Sequence, residues 1–253
     1  MTALTIAARE LRSLFLSPLA WAILAVVQFI LGYIFLTQIE LFVLYQPRLA
    51  GHDAAPGVTD IVAAPLFSSA AIVLLLVAPM ITQRAIAEER RAGTLTLLLS
   101  SPVSPLAIAT GKFIGLMGFF ATLIGLTALM PLSLLAGTML DLGQFGACVL
   151  AVFLLIAAFA ALGTFISAVA PHPTVAAVAT FGALLLLWII DWASATGGEQ
   201  QAGRLFAYLS MSRHYEPLLA GRFALADVGY FVIVTLMFLA LTVWRLDADR
   251  LQR

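Results

Sequence analysis

Apolar and polar positions in this chain alternate on the scale of whole helices rather than single faces. Mostly apolar stretches, uncharged apart from Asp191, run over 18–39, 63–83, 113–139, 146–170, 174–192 and 228–244, with charged residues between most of them. A helix of about 20 residues crosses the roughly 30 Å hydrocarbon layer of a bilayer. The uncharged run from Leu142 to Ile190 is too long for one span, and Pro171-His172-Pro173 divides it. Proline lacks a backbone donor and disfavours helix in the residue before it. The pattern predicts an all-α integral membrane protein, one transmembrane domain over 1–253 with six transmembrane helices. An even number of spans puts both termini on the same side.

Composition narrows the class. The chain has 253 residues, of which 62% are hydrophobic and only 10% charged, with a mean hydropathy of +1.07. A soluble domain carries about 25% charged residues, so a soluble enzyme, a secreted disulfide scaffold and a disordered tail are excluded. Formal net charge is +0, which favours no nucleic-acid partner. Lys and Arg are nevertheless distributed unequally. Arg9, Arg12, Arg84, Arg90, Arg91, Lys112, Arg245, Arg250 and Arg253 fall on one side of the six spans. Arg48, Arg204, Arg213 and Arg222 fall on the other, among Glu40, Asp53, Asp60, Asp141, Glu199, Glu216 and Asp227. The positive-inside bias places both termini in the cytoplasm.

Segments outside the spans differ in character. Over 1–16, Leu4, Ala7, Ala8, Leu11, Leu14 and Phe15 share a helical face that Arg9 and Arg12 avoid. This predicts an amphipathic helix in the cytoplasmic interface, or a plain extension of the first span. No small-residue cleavage site precedes Glu40, so the segment does not read as a cleaved signal peptide. Residues 41–62 read as an external loop. The 194–227 segment opens on Gly197-Gly198-Glu199-Gln200-Gln201 and turns amphipathic, predicting a short helix on or in the outer leaflet.

The cytoplasmic region 84–112 is the most informative. Arg90 and Arg91 suit the last turn of a helix, Gly93 suits its left-handed cap, and Thr94 can cap a short helix over Leu95–Leu99. Pro102 and Pro105 then lead into the third span. A short apolar helix held at the surface either docks on its own subunit or forms a socket for a cytosolic partner.

The run Glu88-Glu89-Arg90-Arg91-x-Gly93-Thr94-Leu95, followed by Ser101-Pro102-Val103 and Gly111-Lys112, resembles the permease subunits of ABC transporters of the type-2 exporter class. Glu10-Leu11-Arg12 with Ser17-Pro18-Leu19-Ala20 is similar to the gliding-motility and nitrous-oxide-reductase-maturation branch. So is Arg213-His214-Tyr215-Glu216 through Gly221, Asp227 and Tyr230. The resemblance implies a permease of the bacterial cytoplasmic membrane, paired with a second copy and with two cytosolic ATPase subunits that hold ATP and Mg. This chain then binds no cofactor and catalyses nothing itself. The resemblance also implies that the loop helix couples ATPase motion to the spans through Glu88, Glu89, Arg90, Arg91, Gly93, Thr94 and Leu95. Leu95 and Leu98 are expected to plug the ATPase. His214, Tyr215, Glu216, Gly221 and Asp227 form a candidate extracytoplasmic motif, which an accessory protein could read.

Other features carry less. Gly111-Lys112 looks like the end of a phosphate loop, but Leu106 replaces the upstream glycine and Phe113 the Ser/Thr. Gly111, Gly115 and Gly118 let a helix approach the third span closely, either within one subunit or across a homodimer. Ala157, Ala160, Ala161 and Gly163 do the same in the fourth. His52, His172 and His214 show no paired ligand spacing, and Cys148 suits packing. Asp191, between Trp188 and Trp192, reads as an acid at an outer helix end or a group in the substrate path. Few charges lie within the spans, which argues against a wide hydrated pore and suits a lipid-like, peptide or anchored cargo, or force passed to an external process. Two rival readings are an ion-driven secondary transporter, which needs mid-membrane helix breaks with coordinating groups, and a membrane scaffold.

Overall fold

The computed structural model describes residues 3–49, 57–95, 103–196 and 208–251, with side chains for all but 47–49 and 191–196. In chain order the helices are α1 (Ala3–Leu16), α2 (Pro18–Leu49), α3 (Ala64–Thr82), α4 (Ala87–Arg91), α5 (Pro105–Leu132), α6 (Leu142–Val169), α7 (Pro173–Thr196), α8 (Met211–Leu219) and α9 (Leu225–Leu251). A π-helical turn, Thr59–Ala63, leads into α3, and a 3-10 turn, Ser133–Ala136, ends α5. Six of these helical stretches are long and apolar enough to cross a bilayer.

The most buried span, α6, forms the axis of the bundle and packs on α3, α5, α7, α8 and α9. Ala157, Ala158, Ala160 and Ala161 are all buried there, small enough to let neighbouring backbones close in. The outer spans α2, α7 and α9 leave most of their surface to the surroundings. One polar side chain fastens α2. Gln28 Nε2 donates to the Leu123 carbonyl at 3.0 Å and to Thr127 Oγ1 at 3.1 Å, both on α5.

The ends of the bundle are unlike. At one end, the clasp end, residues of α1, α4, α5 and α9 meet through ion pairs, which link the first and last helices by way of α4 and α5. At the opposite end, Gln144 Nε2 donates to Asp60 Oδ1 and the Leu219 carbonyl, while the Asp141 amide donates to Thr59 Oγ1.

Several predicted boundaries need correction. The first span does not stop at 39: α2 runs to Leu49, so 41–62 is not a loop throughout. Leu41, Phe42, Val43, Leu44 and Tyr45 simply continue the helix past the exposed Glu40. The third span starts at Pro105 rather than 113, capped by Ser104 Oγ, which accepts from the Ala107 amide. Lys112 sits inside that helix because its charge is neutralised there. The last span extends beyond 228–244 to Leu225–Leu251, carrying Asp249 to the clasp end. The short helix expected on or in the outer leaflet, α8, packs into the bundle: Met211, Tyr215 and Leu218 are buried among α3, α6 and α7. Its neighbours at 197–207 lie outside the described residues.

Candidate functional site

The site begins with an interruption. Helix α3 ends at Thr82, residues 83–86 turn, and α4 restarts at Ala87. The groups freed by this break are met by one buried side chain of α6. Ser167 Oγ accepts from the Ile86 and Ala87 amides, each at 3.0 Å, and donates to the Gln83 carbonyl at 2.9 Å. A hydroxyl offers one donor and two acceptor sites, so its capacity is filled. One turn earlier, a Cβ at Gly163 would collide with the Thr82 hydroxyl, so glycine is what lets α3 lie this close to α6. Ser167→Ala is expected to orphan the two amides at a cost of about 1–3 kcal/mol, read as faster hydrogen exchange at Ile86 and Ala87. Unchanged exchange there would contradict this role.

Helix α4 is then tied down on both sides. Lys112 of α5 is 5% exposed, and its ammonium meets Glu10 of α1 at 2.9 Å and Glu89 at 2.6 Å. Across α4, the Arg90 guanidinium donates to Asp249 of α9 and to the Ala168 carbonyl of α6, both at 2.6 Å. Arg245 adds a second cation to Asp249 at 3.1 Å. Removing one member of such a group leaves a charge uncompensated in a poorly solvated site.

This arrangement divides the 88–95 motif. Glu89 and Arg90 turn inward and are spent on the clasp, whereas Glu88, Arg91, Gly93 and Thr94 are exposed. Gly93 has φ +72°, the left-handed cap that its position predicts. Thr94 Oγ1 bonds back to the Glu89 carbonyl at 3.3 Å. Leu95 corrects the expectation of a protruding plug: it is 1% exposed and packed into this chain's own core, so it anchors the loop. Leu98, with the rest of the predicted 95–99 helix, lies outside the described residues.

The glycine stripe has an occupant within the chain. A Cβ at Gly111 would sit 2.7 Å from the Ala3 carbonyl, one at Gly115 2.6 Å from Glu10 Cβ, and one at Gly118 3.0 Å from Leu11. Helix α1 therefore lies in this groove on Ala3, Ile6, Ala7, Glu10 and Leu11. Ala7 and Leu11 of the apolar face meet α5, while Leu4 and Ala8 of the same face are exposed to the surroundings. Fitting the glycines and reaching Lys112 brings Glu10 into this contact beside Ala7 and Leu11.

The 213–230 motif forms a knot at the opposite end. His214 Nδ1 lies 2.7 Å from Asp227, its Nε2 3.1 Å from the Tyr208 carbonyl, and its ring stacks on Tyr230 at 4.2 Å. The Tyr215 hydroxyl donates to the Phe67 carbonyl at 2.7 Å, and burial pushes its pKa well above the usual phenol value. Gly221, at φ +70°, follows α8 and packs on Gln144. His214, Tyr215, Gly221 and Asp227 thus hold α8 in place, while Glu216 is exposed. The Asp191 side chain lies outside the described residues.

A bundle of six helices long and apolar enough to cross a bilayer, with a short helix clasped at one end, is the architecture of a multi-pass membrane protein. The chain matches the model of the ABC-2 family transporter proteins over residues 4–251, nearly its whole length, and belongs to that family. It is thus an ABC permease component, a multi-pass membrane protein that is not itself the catalyst. A comparison with curated proteins finds no match.

Sequence reasoning missed Glu10, Ser167 and Asp249 as parts of the site. Lys112 carried the available signal, a lone cation two turns into an otherwise uncharged helix. Ser167 gave none.

Proposed function

We propose that this chain is the permease of an ATP-driven exporter of the gliding-motility and nitrous-oxide-reductase-maturation branch, worked by separate cytosolic ATPase subunits that hold ATP and Mg. The clasp end faces the cytoplasm of a bacterial inner membrane, since Arg9, Arg12, Arg84, Arg90, Arg91 and Lys112 gather there. The observation that carries the reading is the double character of α4. The exposed side of α4 and the turn after it offers Glu88, Arg91 and Thr94 to a partner, while Glu89 and Arg90 tie it to α5, α6 and α9, and through Lys112 to α1. A push on α4 therefore reaches several helices at once, and the break at 83–86 gives it a place to pivot. Two permease copies with two ATPases form the working unit, which exports a cargo or drives an external process through an accessory protein at the α8 end. Co-expression tests this. An ATPase subunit should copurify, and its hydrolysis should change when this chain is present. The Glu88→Lys/Arg91→Glu pair should weaken capture by about tenfold or more, as expected for loss of charge-assisted contacts. Failure to capture any ATPase would overturn the reading.

A further inference from the structure

A cleft of about 280 Å³ opens at the clasp end between α1, the start of α2, the end of α3, and α4. Its charges are balanced in number but not in pairing. Lys112 is consumed by Glu10 and Glu89. Arg9 and Arg84 also line the cleft, are exposed, and have no hydrogen-bond or ion-pair partner among the described residues. Opposing them are Glu88, likewise exposed, and the second carboxylate oxygen of Glu89, which is buried with no hydrogen-bond partner. Two free cations thus line one cavity with Glu88 and with Glu89, whose second carboxylate oxygen is buried and unsatisfied.

The wall behind these charges is apolar. Leu19, Ala20, Met80 and Ile81 belong to the first two spans, and Met80 is 43% exposed, so the cleft continues onto a surface that faces lipid. Trp21, 59% exposed beside it, donates its indole N–H to the Phe15 carbonyl. Tryptophan favours the headgroup level of a bilayer. A wholly polar ligand leaves the apolar wall unused, and a hydrocarbon leaves the four charged positions unused.

We infer that this cleft binds the headgroup of a zwitterionic lipid with a primary ammonium, a phosphoethanolamine lipid. The phosphate sits between the Arg9 and Arg84 guanidinium groups, which suit its oxygens. The ammonium donates to the free Glu89 oxygen and to Glu88, and the glycerol and first acyl carbons lie along Leu19 and Met80. A trimethylated ammonium has no N–H to give and leaves the Glu89 oxygen unpaired, so the site discriminates against phosphocholine lipids. An anionic headgroup without an amine meets the arginines but leaves the carboxylates facing its charge. Bound there, the lipid bridges α1, α3 and α4 beside the clasp.

Native mass spectrometry of the purified full chain, exchanged into defined mixtures of phosphatidylethanolamine, phosphatidylcholine and phosphatidylglycerol, tests this. One phosphatidylethanolamine should be retained per chain, preferred over either competitor by about tenfold or more. The Arg9→Gln/Arg84→Gln variant, whose substituted groups are exposed and unpaired in the wild-type fold, should lose that preference while unfolding at an unchanged temperature. Excess soluble phosphoethanolamine should displace the lipid only weakly if the acyl portion contributes. Full displacement would show that the headgroup alone binds and would overturn the lipid assignment. Equal retention of the three lipids, or a preference untouched in the variant, would overturn the proposal. So would a variant that keeps its lipid but loses a copurifying protein, which would make the cleft a protein socket.

Discussion

Replacing Lys112 with methionine is expected to leave two carboxylates, Glu10 and Glu89, facing one another without their cation. Breaking a buried ion group costs about 3–5 kcal/mol, and the lower end applies because the side chains of Glu10 and Glu89 are 17% and 25% exposed. Thermal unfolding in detergent should drop accordingly. The sign of the effect distinguishes a charge clasp from simple packing. The triple variant Glu10→Gln/Glu89→Gln/Lys112→Met removes all three charges together and should regain most of the lost stability, since neutral groups need no mutual compensation. It should not regain coupling, because α4 is then no longer tied by charge to α1 and α5. If the triple variant is as unstable as Lys112→Met alone, the clasp is not electrostatic.

The second large effect is expected at Gly115. A leucine there places its Cβ 2.6 Å from Glu10 Cβ and 3.0 Å from the Ala7 carbonyl, and the backbone of α1 cannot move aside without leaving the groove. Overpacking of this kind costs about 1–3 kcal/mol, and lifting α1 also withdraws Glu10 from Lys112. A cysteine at Ile6, buried in the native fold, should become reactive to a water-soluble maleimide in Gly115→Leu. Gly125 is the control. No atom lies within 4 Å of a Cβ there, so Gly125→Ala should be neutral, or stabilising by about 0.5–1 kcal/mol from helix propensity. Continued protection of position 6 in Gly115→Leu would show that α1 is not seated by the glycine stripe.

These two sites also show what was legible in the chain. The six spans follow from apolar length, and the family from the charged motif before the third span. The boundaries were harder wherever charge was taken as a stop signal. Lys112 lies within its helix because partners 102 and 23 residues away neutralise it. Likewise, the periodicity of α1 gathered Leu4, Ala7, Ala8 and Leu11 on one face, but it did not show that Glu10 joins Ala7 and Leu11 against α5. The charged motif itself could be recognised but not divided. Nothing local tells Glu89 from Glu88 or Arg90 from Arg91. The distinction rests on Asp249, 159 residues from Arg90, and on Glu10 beyond the first span. Leu95 looked like a surface plug because the residues that follow it in sequence are apolar, yet the chain folds it into its own core. The 213–230 motif read as extracytoplasmic, but its spacing did not show that His214, Asp227 and Tyr230 pack on one another.

The central claim is that α4 turns one face to a motor and the other to the spans, and crosslinking measures it most directly. In a Cys148→Ser background, single cysteines at Arg91 and Thr94 should each crosslink to a copurified ATPase subunit, and ATP should alter the yield. A cysteine at Leu95, buried one position further on, should not. Capture from position 95 with none from 91 or 94 would mean that α4 faces the other way, and the account would be wrong.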